Sequence, residues 1–466
     1  MIPNPANSPP PIIEHKGPYP PRFWWLKRIL LSLFLLLIGL ILLRLAWGWY
    51  ADRQLAALIA TYRSRGEPVE KKDIAEKPIP DSENAAILLT QAEQAMTTSA
   101  EFHDLYMNVG FEHRPLASSA AKVLDEHLRI NAAAFALVRH ARRMGKAVFS
   151  DPLNDSGLLG DHVRLAAVRA HEHGDDEEAI EFIIDLLFMS RACDSHFVES
   201  TAFKAVSQLA PALNAPAGER AGARPASVRQ VRALVDQLTT ETAHQQAAVR
   251  VLQKVRMDHI QWVSTRADRI KSVYRPAPIG QLIAWAGRPA MVQQSVISAK
   301  HVTMLLALRS EPWPQVHKRI SMTRPAEYSC FPLANKLLPF EPDFWFFLIS
   351  ERQELMDRRA TALRLAIRLY QLEHENHLPL ALGDLVPKYI RAVPDDPFGP
   401  LGRAVGYQPA TTQPFLYSIN QDGVDDIGSG KWAPTKWRDV EDYDVESAPD
   451  LAYSLRAQTP ARPRSD

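Results

Sequence analysis

Cysteine is almost missing from this chain: Cys193 and Cys330 are the two among 466 residues. That scarcity excludes a disulfide scaffold and any Cys-rich zinc fold. A surplus of one charge sign is missing too. Lys and Arg number 54 and Asp and Glu 53, a net charge of +1, which argues against a dedicated nucleic-acid binder. Glycine is sparse at 20 residues against 36 prolines. This balance suits helices separated by proline-marked breaks better than a glycine-rich barrel. No G-x-S-x-G elbow, no G-x-x-x-x-G-K-[ST] phosphate loop and no G-x-G-x-x-G turn occurs, so the common nucleophile and nucleotide signatures do not mark the chain. Cys193 follows an apolar helical stretch and reads as a small core residue, and Cys330 has no Cys–His signature around it. What is present is 46% hydrophobic and 23% charged residues, the composition of a folded protein.

Long apolar runs are scarce as well, and one stands out. Residues 29–43, ILLSLFLLLIGLILL, are fifteen positions without a charge. Trp24 and Trp25 precede the run; Trp47, Trp49 and Tyr50 follow it. A helix from Trp25 to Trp47 rises about 33 Å, enough to cross a hydrocarbon core. Aromatics at both ends suit the two interfaces, and Arg44 can snorkel toward headgroups. The leading segment is long and no A-x-A site follows the run, which argues against a cleaved signal peptide. Lys16, Arg22, Lys27 and Arg28 before the run balance Arg44, Arg53, Arg63 and Arg65 after it, so the positive-inside comparison ties. The tail before the run is short and Pro-rich, and long domains translocate largely regardless of charge. The expectation is a single-pass protein of the cytoplasmic (inner) membrane, N-terminus inside, with an extracytoplasmic body.

The pattern predicts a mainly α fold: a transmembrane helix, an irregular α-hairpin or solenoid-like body, and a small C-terminal α+β cap. Residues 1–22 form a disordered Pro-rich tail and 23–50 the span. Residues 51–210 form a helical domain with αα-hairpins, 211–226 (PALNAPAGERAGARPA) a linker, and 227–341 a second helical segment. Residues 342–446 form a long helix plus the cap, and 447–466 a disordered tail. Within this frame Asp81 or Ser82 is expected to cap a helix over ENAAILLTQAEQAM, where Ala85, Leu88, Leu89 and Ala92 share one face. One helix is expected over 117–145, one over 227–273, one over 289–310 and one over 342–375. Gly174 closes one helix of a hairpin and Asp175 and Asp176 open the next, with Ile180, Ile183, Ile184, Leu187 and Phe188 as its apolar stripe. Ala166…Gly174-Asp175…Ala179-Ile180 resembles one tetratricopeptide unit, without a 34-residue repeat around it. Strands are expected around Tyr407 and over 414–419.

Residues 361–428 carry a family likeness. ALRLAIRLYQLEHENHLPLALGDLVPKYIRAVPDDPFG, then GYQ and PFLYSINQDGVDDIG, resemble the globular end of the major pseudopilin of type II secretion. Tyr370, Pro379, Leu382, Leu385, Val386, Pro387, Pro394, Asp396, Pro397, Tyr407, Tyr417 and Ser418 occupy the matching places. In that family the hydrophobic helix directly precedes the domain and follows a prepilin peptidase site. Here the apolar run ends at Leu43 and no such site precedes it. The resemblance therefore implies a membrane protein that reuses this small domain as a cap, not a simple pilus subunit. It also implies calcium in the loop Asn420, Asp422, Asp425 and Asp426, with Asp442 and Asp444 downstream. Calcium takes six to eight oxygens and a glycine such as Gly423 lets them converge. The spacing is not that of an EF-hand, and a solvated acidic turn is the alternative.

Two histidine sets invite a metal reading: His171 with His173, and His374 with His377. HENH is not HExxH, and helix-end histidines satisfy the same pattern. The basic residues Arg229, Arg232, Arg250, Lys254, Arg256, Arg266, Arg269 and Lys271 alternate with Asp236, Glu241, Asp258 and Asp268, as on a solvated helix face. The function expected from all this is a membrane-anchored, non-enzymatic interaction or scaffold protein of the bacterial cell envelope. Its partners would be the membrane and other proteins, with no nucleic acid and no small-molecule substrate. A component or relative of a secretion or pilus-type assembly is one alternative. An envelope hydrolase whose site is assembled from distant residues is the other.

Overall fold

A computed structural model describes residues 23–74, 77–108, 118–149, 157–192, 226–273, 277–322, 344–411, 414–425 and 450–455. The expected tail 1–22, all of the expected linker 211–226 but its last residue, Cys193 and Cys330 lie outside the described residues. The described chain is mainly helical and carries one small antiparallel sheet. It divides into two compact units. One holds the residues up to Leu58 together with Val263–Gln294, the other Ile59–Trp262 and Ser295–Asp466.

In the first unit, α1 (Trp24–Ser64) begins with the apolar run and continues unbroken past the expected end of the span. It is long and apolar enough to cross a membrane, and its apolar stretch is exposed. Later turns of α1 bind the first half of α11 (Ala277–Leu308). Arg44 donates to the Trp285 carbonyl oxygen at 3.1 and 2.5 Å, Trp47 Nε1 donates to Gln293 at 3.1 Å, and Arg288 pairs with Asp52 at 2.8 Å. The expected helix start at 289 is corrected: the helix begins at Ala277 and Pro289 lies inside it. Proline removes one ladder donor, here the one that would bond to the Trp285 carbonyl, and Arg44 supplies the replacement.

In the second unit, α3 (Ala85–Ala95), α4 (Ala100–Asn108), α5 (Ser118–Ile130), α6 (Ala132–Met144), α7 (Gly157–Glu172), α8 (Asp176–Ala192) and α9 (Val228–Thr239) precede the long central helix α13 (Phe344–Glu373). The short α2 (Lys71–Ile74), α12 (Trp313–Met322) and α10 (Thr242–Val273) as far as Trp262 also lie in this unit. Asn84, not Asp81 or Ser82, caps α3: its side chain accepts from Ala86 N at 3.1 Å. The same amide clips the end of the α3–α6 pair by exchanging two bonds of 2.9 Å with Val148. Asp81 and Ser82 sit in a separate 3-10 turn.

Two helices expected whole are broken. The expected 117–145 helix divides at Asn131, whose side chain accepts from Thr97 N at 2.7 Å and donates to Thr97 O at 2.9 Å. Pinning Asn131 to a neighbouring segment outweighs helix continuity there. The expected 227–273 helix divides at Thr240. The Arg358 guanidinium, on α13, takes up the carbonyls of Gln237, Leu238 and Thr240 at 2.6 to 3.0 Å. Those carbonyls are the unpaired end groups of α9. The α7–α8 hairpin forms as expected, with Gly174 at φ +79°, a conformation that glycine adopts without Cβ strain.

The cap is a three-stranded meander. Strand β1 (Gly406–Gln408) pairs with β2 (Phe415–Ser418), and β2 with β3 (Leu451–Ser454), both antiparallel. Gly406 faces Tyr417, and a Cβ there would lie 2.2 Å from the ring, so the register requires glycine. The third strand lies where a disordered tail is expected from 447. Tyr453 anchors it: the hydroxyl donates to Asp357 on α13 at 2.6 Å. One core joins α3, α6, α7, α8, α9, α13 and the cap through Leu89, Val138, Val163, Ile183, Leu234, Leu363, Leu385 and Leu416. It runs across the boundaries expected at 210, 227 and 342. A second cluster gathers Leu252, Val302, Leu305, Trp313, Leu348, Phe398 and Ile419.

Candidate functional site

Among the described residues, a group of buried titratable side chains lies where α4, α5 and α7 meet. His127 Nε2 and His162 Nδ1 are 3.0 Å apart, and the two residues are 3% and 2% exposed. One of the facing nitrogens carries the hydrogen and the other accepts it. Phe102 stacks on the His127 ring at 3.6 Å between centroids. Tyr106 donates to Asp161, and the other oxygen of Asp161 accepts from Arg164 Nε at 2.9 Å. Burial lowers His127 to about 4, with repulsion from His162 adding to it. Burial also lowers His162, against the pull of Asp161. Burial, with Asp161 beside it, pushes the Tyr106 hydroxyl up to about 12. Both imidazoles are neutral at pH 7. His162 Nε2 is buried without a hydrogen-bond partner. The group can take up a proton as pH falls, and doing so places a charge in a buried, largely apolar site.

Sequence reading missed this group. The available signal was the α5 face Ala120, Leu124, His127 and Asn131, spaced four, three and four apart, which places two polar residues on an apolar stripe. The two histidine sets sit at helix ends. His171 Nδ1 is 2.5 Å from Asp176 and His173 Nε2 is 3.1 Å from Asp125. His374 and His377 each donate from Nδ1 to a helix-end carbonyl, at 2.7 and 2.9 Å. Among the described residues no three His, Cys, Asp or Glu side chains are grouped to hold a metal.

The acidic loop is half within view. Asn420 adopts φ +53°, Asp422 Oδ1 accepts from Val424 N at 3.0 Å, and Asp425 pairs with Arg403 at 2.6 Å. Asp426, Asp442 and Asp444 lie outside the described residues. Upstream, Asp396 is buried and organises the turn: Oδ1 accepts from Phe398 N at 3.0 Å and Ser418 Oγ at 2.6 Å, and Oδ2 from Ile419 N at 3.0 Å.

A second buried acid joins α6 to α8. Asp185 is 1% exposed and pairs with Arg139 at 3.1 Å and Arg142 at 3.0 Å. Burial raises its carboxyl to about 6 although both arginines pull it down, so it is ionised at neutral pH. Of the expected basic face, Arg256 is fully buried, paired with Glu67 and set over the Tyr62 ring at 4.3 Å, so it is no solvated charge.

Compared with protein-family models, curated proteins and solved structures, the chain matches none. The pseudopilin and tetratricopeptide likenesses rest on their motif residues alone.

Proposed function

We propose that this chain is a single-pass, non-enzymatic scaffold of a bacterial cell envelope, holding a helical body at the membrane for protein partners. The observation that carries this reading is the contrast along α1. Leu31, Leu36, Leu42 and Leu43 are 58%, 59%, 60% and 67% exposed, while Tyr62 on the same helix is 1% exposed. Leucines bared to that degree over several turns fit a lipid environment. Tyr62 donates to the Ala299 carbonyl oxygen at 3.1 Å and lies 2.8 Å from Thr303 Oγ1, so the helix that carries the anchor also belongs to a folded core. Hairpin bodies offer extended surfaces for partner proteins. On this reading the N-terminus lies in the cytoplasm and the body outside it. Alkaline carbonate should leave the full chain in the membrane pellet, and crosslinking in intact envelopes should give discrete adducts of the body. Release by carbonate, or a reproducible lack of adducts, would overturn the reading.

A second reading takes the cap as a pseudopilin-like docking module of a secretion or pilus-type assembly. It is favoured by the bond between Asp396 and Ser418, two of the motif residues, which come together around the turn that the likeness implies. Calcium would then bind Asn420 and Asp422 with oxygens downstream, and Asp425 would have to leave Arg403. Calcium should raise the melting temperature of the full chain relative to chelator by mass action, and Asp422→Ala should abolish the rise. An unchanged melt would leave the loop a plain acidic turn.

A further inference from the structure

Three apolar side chains near the start of α11 lie exposed within four positions: Leu282 at 62%, Ile283 at 39% and Trp285 at 42%. Their neighbours Gly280 and Ala284 are buried, so the helix is turned with its large apolar side chains outward. That is the reverse of a water-facing helix surface. The level of this patch is fixed by α1. Arg44, the first charge after the apolar run, binds the Trp285 carbonyl oxygen and lies over the Trp285 ring at 4.2 Å. A Cβ added at Gly48 would lie 3.6 Å from Pro289 Cγ. The pairs 44 with 285 and 48 with 289 run in the same sense. The turns of α11 before Trp285 therefore point back along the apolar run, and at 1.5 Å per residue Leu282 lies about 4.5 Å beyond Trp285 in that direction.

Resting on the membrane-anchor reading above, we propose that the start of α11 is a second membrane-contacting element, which inserts Leu282, Ile283 and Trp285 into the bilayer leaflet where α1 leaves it. The occupant of this apolar face is lipid, because the face is continuous with a lipid-facing helix and held at its interfacial end. Trp285 joins Trp47, Trp49 and Tyr50 as an interfacial aromatic. Arg44 gains a carbonyl partner and an aromatic face at a depth where an unpaired charge is costly. Pro289 belongs to the same device. It frees the Trp285 carbonyl from the helix ladder, and a side chain from the neighbouring helix fills the vacancy, as broken ladders require at membrane depth.

The test uses the full chain with Cys193→Ser and Cys330→Ser, placed in phosphatidylcholine–phosphatidylglycerol vesicles. A single Leu282→Cys or Ile283→Cys carries an environment-sensitive fluorophore, and doxyl-labelled lipids act as quenchers. Leu36→Cys in α1 and Leu372→Cys at the exposed end of α13 are the references. The expected result is loss of fluorescence at 282 and 283 with shallow-doxyl lipid, at 36 with deep-doxyl lipid, and at 372 with neither. Loss at 36 alone overturns the second contact and leaves the anchor standing. No loss at 36 removes the anchor itself. Blue-shifted but unquenched emission at 282 and 283 assigns the patch to protein and overturns the lipid assignment.

Discussion

Single residues carry much of what distinguishes this protein. Protonating His127 or His162 places a charge in an apolar site, so both are held neutral. Because their folded pKa values are depressed, their contribution to stability is complete above the unfolded value of 6.5 and is lost as pH falls below it, for His127 through about 4. The change should be about 3 kcal/mol for His127 over that window. Asp185 and Asp357, both raised by burial to about 6, act in the opposite sense. Their contribution is complete below the unfolded carboxylate value and is lost as pH rises through the folded one. The prediction is therefore a difference. Urea unfolding of His127→Leu should vary less with pH between 6.5 and 4 than the parent does, and parallel curves would show that His127 takes up no proton on unfolding. Asp396 supplies a second residue-scale test. Asp396→Ala strands the Phe398 and Ile419 amides and the Ser418 hydroxyl, and should cost about 3 kcal/mol with loss of amide protection in the cap. A cost under about 0.5 kcal/mol, as at an ordinary surface site, would show that the turn holds without it.

Element ends were the least legible part of the sequence. The long helices and the two first strands were readable because apolar periodicity and turn residues are local signals. Asn131, Asn84 and Arg358 act through partners far along the chain, at Thr97, at Val148 and at Gln237, Leu238 and Thr240. Nothing in the sequence around Thr240 announces that a guanidinium from α13 will end α9 there. The same reason hid β3, whose anchor is Tyr453 on Asp357, and the helical Pro289, whose missing donor is replaced by Arg44. The histidine group was obscured because sequence spacing pointed to His171, His173, His374 and His377, each of which satisfies a helix end or an adjacent acid. Asn84 offers a measurable case. It caps α3 and also clips Val148, so Asn84→Ala should cost about 2 kcal/mol, the upper part of the range for a cap alone. Asn84→Ser, which retains a capping oxygen but not the Val148 clip, should recover part of that. Equal losses in the two variants would mean that the cap contributes nothing.

At the scale of the whole body, the composition breaks that suggested separate helical domains do not coincide with breaks in packing. Leu89, Ile183, Leu234, Leu363, Leu385 and Leu416 belong to one buried cluster, although they come from segments expected in different domains. A shared core makes the segments stable or unstable together, because each supplies the apolar surface that the others bury. Leu363 on α13 is fully buried, and Leu363→Ala should cost about 3 kcal/mol, the lost transfer energy plus the cavity left behind. The informative readout is where the loss appears. Native-state hydrogen exchange should show protection falling by a similar free energy in α8 around Ile183, in α9 around Leu234 and in the cap around Leu385. If the loss is confined to α13, the helices are only loosely coupled, as in a solenoid whose repeats touch their nearest neighbours. A uniform loss would instead assign 77–192, 226–239 and the cap to one cooperative body organised around α13, with protein partners then recognising a single folded surface.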